Sequence, residues 1–186
     1  MTAIVIGSSA GGPQALHDLL PRLAPGLRVP IIVVSHVGDG MGDLLADGLA
    51  RDAALPVRLA AERMPVEPGV IHVAPGGYHL LIEPDRRFAY SVDERVRFSR
   101  PSIDVLFASA AEVYRDELVG VVLSGANADG AEGLKTIRRL GGLALVQDPS
   151  EAVVPTMPLA AIEQAGADIC GSTAILAAHI NSYARP

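Results

Sequence analysis

Near-continuous apolar runs alternate with stretches of helical spacing along most of this chain, and that alternation restricts the fold more than any other feature. AIVIG at 3–7 and PIIVVSH at 30–36 lack polar alternation, so both faces of each strand must be covered. The stretches that follow them, PQALHDLLPRL and DLLADGLARDA, carry apolar residues at helical intervals. PVRLA is a candidate third strand. Further on come a helix SIDVLFASAAEVYRDE with Ser102 as N-cap, strand LVGVVLSG, helix GAEGLKTIRRLG and strand LALVQD. Helix PLAAIEQAG, short strand ADIC and a last helix from Ser172 complete the series. Between Val70 and Ser91 the rhythm changes, and Pro84-Asp85 predicts a hairpin. The expected fold is α/β: a doubly wound, mostly parallel sheet, helices on both faces, and an antiparallel hairpin insert at Tyr78–Ser91. Without internal repeats, low-complexity segments or linkers, residues 1–186 read as one domain.

Composition narrows the function classes. Hydrophobic residues make up 49% of the chain and charged residues 19%, the balance of a protein with a large buried core. A formal charge of −6 without any basic run argues against binding to nucleic acid. Cys170, the single cysteine, has no partner for an intramolecular disulfide, and in the apolar GADICG it reads as a buried small residue. The strand pattern begins almost at Met1, without a basic leader or cleavage site. No apolar run approaches the roughly 18 residues that span a bilayer. A cytoplasmic protein without membrane insertion is expected.

Sites in doubly wound sheets form beyond the carboxyl ends of the strands. Four polar segments follow strands in that way: GSSAGG, SH, SGANADG and QDPSEA. The first fits G-x-S-x-G, with Ser9 lifted from a sharp strand-to-helix turn as a nucleophile and Gly7 and Gly11 flanking it. The amide of Ala10, at the helix start, is then a candidate oxyanion donor. A serine hydroxyl needs a base, and His36 at the end of the second strand is the candidate. Asp129 would orient that imidazole and stabilise its protonated form. Each residue also has a plainer reading. Ser9 suits an anion-binding Gly/Ser turn, His36 a strand-end contact, and Asp129 an N-cap for the helix after it. A phosphate loop fits poorly, since neither G-K-[ST] nor G-x-G-x-x-G is present. The histidines His17, His36, His72, His79 and His179 are scattered, so neither a metal nor another cofactor is expected. His17 and His179 read as helix-surface residues and His72 as a strand residue. His79, after APGGY, is a further candidate for the rim.

Taken together, IGSSAGG, VVSH, PGVIHVAPGGYH, SRPSIDVLF, GVVLSGANADGAEGL and VQDPSEAVVPTMP resemble the catalytic domain of the chemotaxis protein-glutamate methylesterases, the CheB family. The resemblance runs from Ile4 to about Ala161. It places the family's catalytic serine on Ser9, its histidine on His36 and its aspartate on Asp129. The implied reaction is hydrolysis of glutamyl methyl esters on the cytoplasmic helices of methyl-accepting chemoreceptors, with methanol released and, in some members, deamidation of glutamine. The family's TGMGNDG reads SGANADG here, so Ala126 stands at the methionine position and Asn127-Ala128 replace Gly-Asn. That loop is expected to shape the oxyanion site together with Ala10. VGDGM follows the histidine in place of MPPGF, and VVPTMP replaces VVFGMP. Members commonly carry an N-terminal receiver domain, and the early first strand leads us to expect a catalytic domain without one, either a stand-alone esterase or an excised piece of a longer chain. Arg100 and residues 37–42 are candidates for contact with a helical substrate. Two other readings stay open: a catalytically weak or inactive receptor-binding module of a chemosensory array, and a small-anion or nucleotide-binding domain.

Overall fold

The computed structural model describes residues 2–36 and 41–184. In chain order the elements are β1 (Ala3–Ser8), α1 (Gly12–Leu19), β2 (Ile31–Ser35), α2 (Gly42–Ala50), β3 (Val57–Leu59), β4 (Ile71–Val73), β5 (His79–Ile82) and β6 (Phe88–Ser91). There follow α3 (Ile103–Tyr114), β7 (Leu118–Val122), α4 (Ala131–Arg139), β8 (Leu143–Gln147), α5 (Thr156–Ala165), β9 (Ile169–Gly171) and α6 (Thr173–Asn181). Seven strands form one parallel sheet in the order β3-β4-β2-β1-β7-β8-β9. β5 and β6 pair antiparallel as a separate hairpin, as expected.

Every residue of β1, β2 and β7 is buried, which is why these strands show no polar alternation. Successive side chains point to opposite faces of the sheet. Val5 and Val122 pack into one cluster with Leu106 and Phe107 of α3, Leu134 and Ile137 of α4, and Leu80 and Phe88 of the hairpin. Ile4, Ile6 and Val121 pack into the other with Leu16 and Leu19 of α1, Leu49 of α2 and Leu176 of α6. The hairpin therefore covers part of one face and does not extend the sheet.

The chain moves from β1 to β2, out to the edge at β3, back to β4 between β3 and β2, and then places β7 on the other side of β1. Connections reverse direction at β1, and the carboxyl ends of β1, β2 and β7 lie side by side there, the place where sites form in sheets of this kind. This reversal is what collects the site. Among the described residues, no helix is long and apolar enough to cross a membrane.

Two expectations need correction here. Cys170 is exposed, because β9 is the edge strand of the sheet and has no neighbour beyond it. Burial was inferred from the apolar sequence around it, which does not report strand order. His79 is 1% exposed and faces inward from β5, not onto the rim.

Candidate active site

β1 ends at Ser8, and the chain turns over Ser9, Ala10 and Gly11 into α1. The Ser9 carbonyl accepts the Gly12 amide at 2.7 Å, and the Ser9 amide donates to the Ser124 carbonyl at 2.9 Å in the loop after β7. The turn is thus fixed across the two strands that flank the switch point. Its left-handed residue is Gly11, at φ 76°, and Ser9 is not among the residues with positive φ. The serine projects from a tight turn without being the strained residue itself. A Cβ on Gly11 would lie 2.6 Å from both Ser124 Oγ and Val153 Cβ. Gly11→Ala therefore combines an unfavourable backbone with a clash, and we expect it to cost about 2–3 kcal/mol by urea unfolding.

Ser9, His36 and Asp129 form one hydrogen-bonded row. Ser9 Oγ lies 3.2 Å from His36 Nδ1, and His36 Nε2 lies 2.7 Å from Asp129 Oδ2. An ionised carboxylate only accepts, so Nε2 carries the hydrogen and Nδ1 presents its lone pair to Ser9. Ser99 Oγ also lies 3.3 Å from Nδ1. His36 is held in place by its own amide, which donates to the Ser8 carbonyl at 3.1 Å.

Asp129 is fully buried. It does not cap the helix that follows it: α4 has Gly130 as N-cap, with no side-chain cap bond. Its carboxylate instead caps α3. Oδ1 accepts from Ser102 Oγ at 2.8 Å and from the Asp104 amide at 3.1 Å, and Oδ2 accepts from the Ile103 amide at 2.7 Å. Burial opposes ionisation, but the bonds from His36, the Ile103 and Asp104 amides and Ser102 outweigh it and hold the carboxyl below its ordinary range. Asp104 returns the arrangement, since its Oδ1 accepts the Gly130 and Gly133 amides of α4 at 2.9 and 2.7 Å. Two helices thus exchange capping carboxylates behind the histidine.

Asp104 bears the cost of that proximity. Burial pushes its carboxyl up to about 6, the Gly133 amide opposes this, and the neighbouring Asp129 carboxylate adds to the rise. A carboxyl harder to ionise in the fold than in the unfolded chain takes stability away as pH rises from 3.8 through about 6. Asn at 104 can still accept the α4 amides but carries no charge. Asp104→Asn should therefore gain roughly 1–2 kcal/mol over the parent between pH 4 and 7.5, screening allowed for, as read by urea unfolding at both values.

His79 supports the same corner from beneath. Its Nδ1 accepts the Ser102 amide at 3.2 Å, so Nε2 carries the hydrogen and donates to the Glu94 carbonyl at 3.0 Å. A cleft of about 150 Å³ opens beside the row, lined by His36, Arg95, Phe98, Ser99, Arg100 and Pro101. A larger hollow at the hairpin is lined by Glu62, Arg63, Glu83, Pro84, Asp85, Arg87 and Ala89, and not by Ser9, His36 or Asp129.

A buried acceptor behind an imidazole whose free nitrogen meets a turn serine is the arrangement of a serine hydrolase. The family model for CheB methylesterase matches residues 4–180. The chain belongs to the CheB methylesterase family. The crystal structure of the Thermotoga maritima CheB methylesterase catalytic domain is similar, with a TM-score of 0.94, 30% identity and 97% of each chain covered. A Leptospira interrogans protein named "Putative protein-glutamate methylesterase/protein-glutamine glutaminase" is 49% identical, over 89% of this chain and 86% of that one. A protein-glutamate methylesterase/protein-glutamine glutaminase of Symbiobacterium thermophilum is 41% identical over 86% of this chain, which spans 44% of it.

Within this CheB-type site, Ser9, His36 and Asp129 come together, and Ala10 is exposed immediately after the serine. The Ala10 carbonyl accepts from Ser124 Oγ at 2.7 Å, which fixes the peptide on one side. Ala126 is exposed in the loop two residues beyond Ser124. Arg100 lines the cleft and donates to the Val92 and Asp93 carbonyls at 2.8 and 3.0 Å. Of the 37–42 loop, residues 37–40 lie outside the described residues. Sequence reasoning missed Ser99, and it missed Ser102 and Asp104 as partners of Asp129. The run SRPSID held the only signal for them, and it identifies a helix start without saying what faces it.

Among the described residues, no group of three or more His, Cys, Asp and Glu is placed to hold a metal ion.

Proposed function

We propose that this chain is a protein-glutamate methylesterase whose nucleophile is Ser9, with His36 as general base and acid and Asp129 as the group that orients it. The observation that carries the reading is the continuous row from Ser9 Oγ through His36 Nδ1 and Nε2 to Asp129 Oδ2, with steps of 3.2 and 2.7 Å. His36 Nδ1 takes the proton of Ser9 as Oγ attacks the ester carbonyl. Asp129, held ionised by its hydrogen bonds, stabilises the imidazolium that forms. The amide of Ala10 at the start of α1 is the oxyanion donor, and the loop at Ala126 forms the opposite wall. Nδ1 then returns its proton to the departing methoxide. Water, deprotonated by the same nitrogen, attacks the acyl-serine, freeing a glutamate carboxylate and restoring Ser9. With a glutamine side chain the same steps release ammonia.

The substrate in this reading is the methylated helical segment of a chemoreceptor in the cytoplasm, and residues 1–186 act on it as one catalytic unit. A methyl-esterified receptor cytoplasmic fragment should release methanol when incubated with the protein. Retention of the fragment without methanol would contradict the reading and favour a receptor-binding module, a rival prompted by the altered residues 126–128. Binding of a nucleotide in place of the fragment would point to the anion-loop alternative.

A further inference from the structure

The segment that joins the hairpin to α3 makes a two-residue turn at Arg97 and Phe98. The Val96 amide donates to the Ser99 carbonyl at 3.1 Å, and the Ser99 amide to the Val96 carbonyl at 2.8 Å. Arg97 at φ 48° and Phe98 at φ 66° are both left-handed. A turn that needs positive φ at both central residues ordinarily takes Asn-Gly or Asp-Gly. An arginine and a phenylalanine are strained there, and Phe98 is also 95% exposed. Neither the strain nor the exposure helps the fold. The turn is nevertheless held in place. Arg97 pairs with Asp104 at 3.8 Å, Ser99 reaches His36, and Arg100 is fixed to the carbonyls of Val92 and Asp93.

The position of the turn explains what its tip is for. Phe98 stands at the mouth of the same 150 Å³ cleft that His36 lines. That volume falls short of the roughly 300–1,000 Å³ typical of small-molecule pockets, and it suits one short side chain. The remainder of a protein substrate must then lie outside, across the rim. Side chains three or four residues apart on a helix are about 5–6 Å apart at Cβ. With the esterified glutamate at His36, a residue one helical turn away is within reach of the rim that Phe98 shares with it.

We propose that Phe98 is a specificity-determining residue, the aromatic anchor by which this enzyme holds an apolar side chain on the substrate helix one turn from the ester. The inference rests on the methylesterase reading above. Rigid aromatic side chains give large contact area at small entropic cost, and such anchors dominate protein interfaces. Arg95 and Arg100 line the same cleft wall and make it positively charged.

The test compares Phe98→Ala, Phe98→Gly and Phe98→Tyr on two substrates, a methyl-esterified receptor cytoplasmic fragment and 4-nitrophenyl acetate. Glycine tolerates φ 66°, so Phe98→Gly removes the aromatic without adding backbone strain. For the alanine and glycine variants we expect kcat/KM on the fragment to fall about 10- to 30-fold further than on the small ester, mainly through KM, with recovery in Phe98→Tyr. Methanol release by the unaltered protein that Ser9→Ala abolishes establishes the underlying reading first. With that in hand, equal losses on both substrates, or no loss, overturn the role of Phe98 alone. Absence of methanol release from the unaltered protein overturns both. A sedimentation shift from dimer to monomer on substitution, with unchanged kinetics, also overturns it by assigning the aromatic to contact between copies.

Discussion

We expect Ser9→Ala to lower turnover of a glutamyl methyl ester by at least about 10⁴-fold while leaving the melting temperature within a few degrees of the parent. The two halves of this result have separate causes. In the proposed mechanism the hydroxyl supplies the oxygen that attacks the ester carbonyl, and without it no acyl-enzyme forms. The fold around the serine depends on its backbone, through the bonds of its amide to Ser124 and of its carbonyl to Gly12, and alanine keeps both. His36→Ala should be comparably damaging, since a serine hydroxyl without its base is a weak nucleophile. Methanol release at saturating ester, with thermal unfolding alongside, reads both halves. Retention of most of the activity would remove Ser9 from the mechanism.

Asp129→Asn should cost both rate and stability. Each oxygen of Asp129 accepts two hydrogens, from Ser102 and Asp104 on one side and from Ile103 and His36 on the other. An amide nitrogen accepts none, so either orientation of Asn sets its NH₂ against two donors. If the nitrogen faces His36, the imidazole is driven to the wrong tautomer and its Nδ1 is no longer a base for Ser9. The serine-protease counterpart suggests a loss in kcat of about 10⁴-fold. The start of α3 loses acceptors in the same step, and we expect roughly 1–3 kcal/mol of stability to go with them. Urea unfolding and kcat on one preparation measure both. A kcat within tenfold of the parent would reduce Asp129 to a helix cap.

The sheet was legible because β1, β2 and β7 are buried on both faces and show it as unbroken apolar runs. The positions of Ser9 and His36 followed from the same pattern, since each lies one residue past a buried strand, whereas Asp129 lies seven residues past the end of β7. Their contact depended on strand order, which periodicity does not encode and the family motifs supplied. Asp129 illustrates the limit. Its sequence neighbours favour an N-cap on α4, yet its carboxylate serves α3, because the approach of the two helices is a tertiary fact. Cys170 and His79 went astray for similar reasons, one lying on an edge strand and the other beneath a helix start. Arg97-Phe98 carries no turn signal, since its turn runs against local preference and is held by contacts with Asp104 and His36.

The most direct test of the account is covalent labelling with a fluorophosphonate, followed by peptide mass spectrometry. The account predicts a single adduct on the peptide containing Ser9, lost in Ser9→Ala and strongly slowed in His36→Ala. An adduct on another residue, or labelling of Ser9 at the same rate without His36, would contradict the assignment of nucleophile and base.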